Sequence, residues 1–310
     1  MHIKSLAFIS TAVFFLTGCI TTQMAGNVSP EKKGHLYTIR LDNQVLEIDP
    51  TKGGRINSLK IDGVDFFTDS TVNNLNWGST LWFSPQSNWK WPPSPQIDSM
   101  AYTVQAKEDG LILQSQLDPK TGMDVLKVFS GNLKTGSYTL KYSITNRSAK
   151  AQKVAPWEVT RVKTGGLAFF PFGDGDRRGG LIPFTTETDG ISWFQYREDQ
   201  LPLKGDRQLY SDGKEGWLAE INNGVILIKK FPDVPFDENA PGEGEIEWYA
   251  SPVVPGKSYV EIEHQGAYQE LQPGQSLTWK VEWFLKKLPS SIKPEPGNSV
   301  LVEYVRKIVR

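Results

Sequence analysis

Apolar and polar residues alternate along most of the chain in short runs that predict β-strands. Alternation, or enrichment in β-branched and aromatic residues, marks the runs YTIRLDN, LILQSQL, YTLKYSIT, VILIKKF, YVEIEHQ and LTWKVEWFL. Turn-forming pairs such as Asp62-Gly63, Thr135-Gly136 and Pro255-Gly256 interrupt the chain at short intervals. This period and spacing predict an all-β fold, a large and mostly antiparallel sandwich of two extensive sheets.

Helical spacing is found at the end of the chain, in the run NSVLVEYVRKIVR. One side of this helix would carry Val300, Leu301, Tyr304, Val305 and Ile308. We therefore expect a short C-terminal helix docked on the sandwich. Two long segments, residues 68–98 and 164–216, are predicted to be irregular, and loops of such length tend to be functional.

Composition and charge exclude two classes of protein. Hydrophobic residues make up 38% of the 310 residues and charged residues 22%, which is the balance of a folded globular chain and not of a disordered one. The formal net charge is -1. Because the chain has no basic excess with which to attract phosphates, we expect no nucleic-acid partner.

The first nineteen residues combine a positive start, an apolar run and a cysteine. Lys4 is followed by the mostly apolar run from Leu6 to Leu16, and Leu16-Thr17-Gly18-Cys19 resembles the lipobox of a bacterial lipoprotein signal peptide. The apolar run is shorter than the roughly twenty residues that a transmembrane helix requires. The resemblance implies that residues 1–18 are removed and that the acylated Cys19 attaches the protein to a membrane.

After the predicted signal peptide, we expect three segments in the chain. Residues 19–33 have no hydrophobic period and are predicted to be a flexible tether, followed by the sandwich at 34–288 and the C-terminal tail and helix at 289–310. Cys19 is the only cysteine, so no internal disulfide is expected. Since Ile20 follows it where an inner-membrane lipoprotein commonly has Asp, we expect a cell-envelope location, with the periplasmic face of the outer membrane or the cell surface favoured.

The run from Asn73 to Pro95, NNLNWGSTLWFSPQSNWKWPPSP, contains an unusual concentration of tryptophan. Its prolines disfavour a central strand, and we predict a loop that crosses the mouth of the sandwich. Sugar rings are bound by aromatic platforms together with amides and carboxylates. Candidate ligand-binding residues here are Asn76, Trp77, Trp82, Gln86 and Trp91. The alternative is that the tryptophans only pack against the end of the sandwich.

The run VAPWEVTRV carries a carboxylate and a guanidinium on one predicted strand. Trp157, Val159 and Arg161 would share one face, and Glu158 would lie on the other. The alternative is that Glu158 and Arg161 have no functional role and are surface charges that are solvated or paired.

The run YVEIEHQ places Glu261 and Glu263 on the same face of a predicted strand, about 7 Å apart. Two carboxylates at this separation raise each other's pKa, which is one way to obtain a general base near neutral pH. His264 lies on the opposite, apolar face. The alternative to a catalytic role for His264 is therefore that it is a residue of the core. We expect no metal or cofactor, because the chain has no paired metal-ligand spacing, phosphate loop or dinucleotide motif.

These segments, in this order over roughly residues 35–288, resemble the galactose mutarotase-like superfamily, within an uncharacterised bacterial branch related to aldose 1-epimerases. The resemblance is carried by GGRINSLKIDGVDFF, NWGSTLWFSPQSNWKWPP, APWEVTRV, GGLAFFP, YVEIEHQG and LQPGQSLTWKVEWFL. It implies a supersandwich fold with a sugar-sized cleft. Glu263 matches the catalytic glutamate of the hexose-phosphate mutarotases, or Glu261 if the register differs by two. Their middle-strand histidine is replaced here by Trp157 or Glu158.

Anomer interconversion requires a base for the C1 hydroxyl and an acid for the ring oxygen. The resemblance implies Glu263 as the base, with Glu158 or His264 as candidate acids, and Arg55, Arg161 and Gln86 as partners for hydroxyls or for an acidic group on the sugar. The hypotheses that follow are a mutarotase-like isomerase acting on an aldose, a lipid-anchored carbohydrate-binding protein without catalysis, and a structural envelope protein.

Overall fold

The computed structural model describes residues 26–201 and 205–310, in which two antiparallel sheets pack face to face. The predicted sandwich is therefore confirmed. The strands are β1 (Glu31–Lys33), β2 (Leu36–Leu41), β3 (Gln44–Asp49), β4 (Arg55–Ile61), β5 (Val64–Asp65), β6 (Ser79–Ser84), β7 (Thr103–Lys107), β8 (Gly110–Gln114), β9 (Met123–Asn132), β10 (Ser137–Asn146), β11 (Gln152–Lys163), β12 (Leu167–Pro171), β13 (Thr185–Thr188), β14 (Ile191–Gln195), β15 (Gln208–Ser211), β16 (Trp217–Asn222), β17 (Val225–Lys230), β18 (Ile246–Ala250), β19 (Tyr259–Gln265), β20 (Gln269–Leu271) and β21 (Ser276–Lys287). The helices are α1 (Pro95–Asp98) and α2 (Ser299–Val309).

The strands are divided between an eleven-stranded sheet and a ten-stranded sheet. The first, called Sheet 1, has the order β1-β2-β3-β4-β6-β11-β19-β18-β15, with β5 paired to β4 and β20 to β11. The second, called Sheet 2, has the order β13-β14-β12-β16-β17-β21-β10-β9-β8-β7. The central strands of Sheet 1 are thus brought together from distant parts of the chain.

The main core lies between the two sheets. It contains Leu81, Val162 and Ile262 from Sheet 1, and Leu140 and Val281 from Sheet 2, all essentially inaccessible to solvent. Along β9 and most of β21 buried positions alternate with more exposed ones, as the period-two pattern requires when one face packs inward. Strands β6 and β19 are instead buried on both faces. The outer face of Sheet 1 is therefore covered at its centre.

The prediction of two irregular segments was wrong. Residues 68–98 contain β6, which pairs with β4 and β11, and residues 164–216 contain β12 to β15. Strand β6 reads STLWFS and has no alternation because both of its faces are covered. The tryptophan-rich run is therefore a central strand followed by a short irregular crossing over the outer face of Sheet 1.

Gly78 allows the chain to enter β6 at this position. Its φ is +60°, and an added Cβ would lie 2.2 Å from the carbonyl oxygen of Ile56. A side chain would therefore clash with the backbone of β4, and only glycine permits this close approach.

The C-terminal helix is confirmed, although its buried face differs from the predicted one. Leu301, Val302 and Val305 pack on the outer face of Sheet 2, whereas Val300 is 60% exposed. Asn298 caps the helix, because its side chain accepts hydrogen bonds from the backbone N–H groups of the first turn. The first turn thus points Val300 away from the sheet.

None of the helices within residues 26–201 and 205–310 has the length and apolarity needed to span a membrane. Cys19, the predicted signal peptide and the rest of the predicted tether up to residue 25 lie outside the described residues. The last three residues of the predicted tether, Glu31–Lys33, form β1.

Candidate functional site

A cleft of about 300 Å³ lies on the outer face of Sheet 1, above β6, β11, β19, β18 and β15. This volume is at the lower end of the range for small-molecule sites. The cleft is lined by Asn76, Trp82, Gln86, Trp91, Trp157, Gln208, Tyr210, Glu243, Glu247, Tyr249, Tyr259, Glu261 and Glu263. Aromatic rings, amides and carboxylates thus surround one hollow.

The tryptophan cluster forms one side of this cleft. Trp82 is buried and meets Trp157, Trp89 and Trp91 edge to face at centroid distances of 5.5, 5.9 and 5.8 Å. Its indole N–H donates to Asp98 Oδ1 at 2.8 Å, which fixes the ring orientation. Trp91 remains 48% exposed. Part of the cluster therefore packs, while Trp91 presents a ring to solvent beside the cleft.

Two predicted amides lie at the cleft, but Trp77 does not line it. Asn76 Nδ2 donates to the Tyr259 hydroxyl at 3.4 Å, and the Gln86 backbone N–H donates to Glu243 Oε1 at 2.7 Å. Trp77 lines a neighbouring cavity.

Arg55 is placed beside Trp77 and away from the cleft. Its guanidinium carbon lies 3.9 Å from the Trp77 ring centroid, and Nη2 contacts both carboxylate oxygens of Asp98 at 3.2 Å. Burial lowers the pKa of Arg55 to about 10. Because its charge is paired with Asp98, Arg55 is not available in the cleft for an acidic sugar group.

The acidic residues come from two neighbouring strands. Glu261 and Glu263 lie on β19, and Glu247 on β18 is directly opposite Glu263 in the antiparallel register. On the other side, Val159 of β11 is opposite Glu263. Directly opposed side chains lie on the same face, so Glu247 and Glu263 project together into the cleft.

A single amide bridges this carboxyl pair. Gln208 Nε2 is 2.8 Å from Glu247 Oε2 and 3.3 Å from Glu263 Oε1. The Trp157 indole N–H donates to Glu263 Oε2 at 2.9 Å, and Gln265 Nε2 donates to Glu247 Oε1 at 2.7 Å. The positions of both carboxyl groups are therefore fixed by the strands around them.

The pKa values of Glu247 and Glu263 are both raised well above the ordinary value for a glutamate. Burial is the main cause for each, followed by the neighbouring carboxylate: Glu263 acts on Glu247, and Glu261 acts on Glu263. Burial also raises the pKa of Glu243, whose charge is a further influence on Glu247. The cluster thus keeps a proton at a pH where isolated glutamates would be ionised.

Arg161 lies under the cleft and does not line it. Its side chain is fully buried, Nε donates to Glu261 Oε1 at 2.7 Å, and Nη1 donates to Thr80 Oγ1 at 2.7 Å. The guanidinium carbon is 4.7 Å from the Trp82 ring centroid. Arg161 therefore holds Glu261 and supports the tryptophan cluster.

Glu158 and His264 lie on the other face of Sheet 1, inside the sandwich. Glu158 accepts hydrogen bonds from Lys229 Nζ at 2.8 Å and from the Tyr142 hydroxyl at 2.7 Å. Burial lowers the pKa of His264 well below its ordinary value, so the imidazole is neutral. The pairing of β11 with β19 runs without a bulge from Trp157 to Lys163, so nothing turns either side chain outward. The expectation that one of them supplies an acid to the cleft is corrected.

The sequence family is shown by a match over most of the chain. A family model described as "Domain of unknown function (DUF4380)" matches residues 69–286. The chain belongs to this family. No protein of curated function matches it in sequence.

The structure of the DUF4380 protein is similar to several solved structures, and the resemblance to the galactose mutarotase-like superfamily is confirmed at the level of fold. A galactose mutarotase-like protein from Lactobacillus casei has a TM-score of 0.57 and 14% identity, covering 81% of this chain and 100% of that one. A putative aldose 1-epimerase from Klebsiella pneumoniae has a TM-score of 0.58 and 13% identity, covering 90% of this chain and 86% of that one.

A TPR-domain containing protein from Parabacteroides distasonis has a TM-score of 0.60 and 14% identity, over 82% of this chain. The DUF4380 chain spans only 47% of the length of that larger protein. Identities this low show a shared fold alone.

Sequence reasoning missed several residues that line the cleft of the DUF4380 protein. These are Gln208, Tyr210, Glu243, Glu247, Tyr249 and Tyr259. The run IEWYA in β18 contains a usable signal, because Glu247 and Tyr249 alternate with buried Ile246 and Trp248. This pattern predicts a strand with a polar outer face, although it does not reveal which strand lies beside it.

The charge of the cleft limits what it can bind. Four of its lining residues are glutamates, and none of its described lining residues is Lys, Arg or His. No group of three His, Cys, Asp or Glu residues suited to a metal ion is found in the described part of the DUF4380 protein. The arrangement can accept hydroxyl donors, stack apolar ring faces and move protons between carboxyl groups.

Proposed function

We propose that this chain binds a sugar in the Sheet 1 cleft and interconverts the anomers of an aldose by carboxyl acid–base chemistry. The observation that carries the proposal is the Gln208-bridged pair of Glu247 and Glu263 within an aromatic cleft. The mutarotase-like and epimerase-like names of proteins with the same fold support it.

The two carboxyl groups take complementary roles in this proposal. Glu263 matches the catalytic glutamate of the related mutarotases and is therefore assigned as the base, and its carboxylate accepts hydrogen bonds from Trp157 and Gln208. Burial, followed by the charges of Glu263 and Glu243, raises the pKa of Glu247, so Glu247 is assigned as the acid.

The proton transfers balance within the pair. Glu263 takes the proton of the C1 hydroxyl while Glu247 protonates the ring oxygen, the C1–O bond of the ring breaks, and a C1 carbonyl forms. Rotation about the C1–C2 bond turns the other carbonyl face to the ring-forming oxygen. The reverse transfers then close the ring as the other anomer and restore both carboxyl groups.

The charge of the cleft favours a sugar without an acidic substituent. A phosphate or carboxylate would lie among Glu243, Glu247, Glu261 and Glu263, and the described lining residues include no Lys, Arg or His to compensate its charge. The expectation that Arg55 or Arg161 holds an acidic group is not supported, because these side chains are paired with Asp98 and Glu261.

Anomer exchange rates test the proposal directly. Polarimetry or NMR with freshly dissolved glucose, galactose, mannose and xylose should show acceleration over buffer for at least one aldose. Glu263→Gln and Glu247→Gln should each lower the accelerated rate by about 100-fold or more. Glu282→Gln is the matched control, since Glu282 lies on β21 in Sheet 2. Absence of acceleration with every sugar would reject catalysis, as would full activity in both variants.

One observation favours a second candidate, a binding protein without catalysis. The resemblance puts Trp157 or Glu158 where the related mutarotases have a histidine. Of these two residues only Trp157 lines the cleft, and its indole N–H only donates hydrogen bonds. Calorimetric binding without anomer exchange, retained in Glu263→Gln and lost in Trp91→Ala, would identify this function.

We also propose that the protein is anchored to the cell envelope through acylated Cys19, with the outer membrane favoured. The support is the sequence Leu16-Thr17-Gly18-Cys19 followed by Ile20. Metabolic labelling with a palmitate analogue should label the wild type and not Cys19→Ala, and the labelled protein should fractionate with outer membranes. Equal labelling of the variant would reject attachment at this position.

A further inference from the structure

A second cavity of about 320 Å³ lies beside the cleft. Asn76 and Trp91 line both hollows, so the two are neighbours across these side chains. The other walls of the second cavity include Lys52, Trp77 and Pro92. Its size is close to that of the cleft, which is about 300 Å³.

Trp77 presents a fixed aromatic surface to this second cavity. Arg55 lies over its ring at 3.9 Å and also donates from Nη1 to the carbonyl oxygens of Leu75, at 3.2 Å, and Trp77, at 3.0 Å. The charge of Arg55 is balanced by Asp98 at 3.2 Å. The ring is thus held by a buried ion pair, so a ligand that stacks on it has little ordering cost to overcome.

The same ion pair connects the two cavities. Asp98 accepts from the Trp82 indole N–H at 2.8 Å, and Trp82 contacts Trp91 at a centroid distance of 5.8 Å. Trp77 and Trp82 are therefore both held by the Arg55–Asp98 pair, and Trp91 packs against Trp82. A row of aromatic rings that borders two neighbouring cavities is suited to successive rings of one ligand.

The apolar surface along this row is not fully used by the fold. Trp91 is 48% exposed and Leu75 is 60% exposed, and both border the second cavity. Aromatic side chains that protrude beside a pocket are typical anchors of a bound partner.

From this geometry we infer that the second cavity binds the neighbouring unit of a saccharide whose first unit occupies the cleft, so the ligand has at least two sugar units. The inference rests on the proposed function. Anomer exchange requires a free C1 hydroxyl, so the unit in the cleft is the reducing end. The unit beyond Trp91 is joined to it through an oxygen other than that of C1.

Calorimetry on matched pairs of soluble sugars tests this. The probes are glucose with cellobiose and maltose, galactose with β-1,4-galactobiose, mannose with β-1,4-mannobiose, and N-acetylglucosamine with chitobiose. The full-length chain is used, in a detergent without a sugar headgroup. We expect at least one disaccharide to bind about tenfold more tightly than its monosaccharide.

Two substitutions distinguish binding in the second cavity from binding in the cleft. Trp77→Ala should reduce this preference to less than about twofold while leaving the monosaccharide Kd unchanged, and Trp91→Ala should weaken both ligands. Tyr304→Ala, on α2 at the outer face of Sheet 2, is the aromatic control and should change neither.

A measurement on the unsubstituted protein avoids dependence on the folding of Trp77→Ala. In NMR spectra of the indole N–H groups, the disaccharide should shift the signals of both Trp77 and Trp91, and the monosaccharide should leave that of Trp77 unchanged. Trp77→Phe assigns the signal.

Equal Kd values within every sugar pair, or a Trp77 signal that no disaccharide moves, would overturn the inference and leave the proposed function standing. Failure of every sugar to bind would reject the proposed function, and this inference with it.

Discussion

Glu247 is completely buried among other carboxyl groups, and we expect Glu247→Gln to change how the stability of the protein depends on pH. Its pKa in the folded state is raised well above the value of about 4.3 for an unfolded glutamate, chiefly by burial and then by Glu263 and Glu243. Below about pH 4.3 both states carry the proton, and the stability from this group is fully present. As pH rises, the unfolded chain releases the proton while the folded one retains it. Stability therefore falls until the folded pKa is reached.

The magnitude follows from the proton count. One proton retained only by the folded state costs about 1.4 kcal/mol for each pH unit between the unfolded and the folded pKa. Glu247→Gln has no proton to lose, so its stability should fall less steeply by this amount. The new amide oxygen can still accept from Gly244 N and Gln265 Nε2. Its nitrogen faces Gln208 Nε2, and losing that hydrogen bond costs about 1 kcal/mol at pH 5.

Urea unfolding followed by tryptophan fluorescence at pH 5, 6, 7 and 8 measures this difference. Burial also raises the pKa of Glu220 and Glu245, but these groups are present in both proteins and cancel in the comparison. Glu282→Gln should give a curve parallel to that of the wild type. If the Glu247→Gln curve is also parallel, the carboxyl pair holds no extra proton, and the acid assigned to Glu247 is refuted.

Three further substitutions separate packing from chemistry. Glu158→Ala should destabilise the protein by about 3–5 kcal/mol in urea unfolding, because it leaves the fully buried Lys229 without its carboxylate partner. Leu301→Ala should cost about 2–5 kcal/mol in the same assay and leave sugar affinity by calorimetry unchanged, since α2 covers the opposite sheet. Trp157→Phe removes a donor that favours ionised Glu263, so the acid limb of the pH–rate profile should move to higher pH.

The fold could be predicted because a strand with one covered face alternates in sequence. The run YVEIEHQ coincides with β19, and its alternation assigned Glu261 and Glu263 to one face and His264 to the other. The rule failed at β6, where both faces are covered and apolar residues occur without a period. Prolines after β6 hid the strand further, since they belong to the crossing that follows it.

The site could be predicted only where its residues share one strand. Glu247 joins Glu263 through the pairing of β18 with β19, and local sequence does not contain strand order. The ion pairs could not be predicted from the sequence either, because Arg55 and Asp98 are 43 residues apart, and Arg161 and Glu261 are 100 residues apart. Single-strand patterns thus identified charged residues without showing which of them neutralise one another.

The tryptophan beside Glu263 and the clustering of glutamates can be understood together. Trp157 occupies the middle strand beside Glu263 and donates its N–H to that carboxylate, but an indole neither receives nor releases a proton near neutral pH. In the proposed anomer exchange, the proton donor must then be another side chain at the cleft. Burial and the neighbouring carboxylates raise the pKa of Glu247, which lies directly across from Glu263. A cluster of carboxylates would be costly in a purely structural surface. In the proposed reaction its negative charge helps Glu247 to keep the proton that the ring oxygen receives.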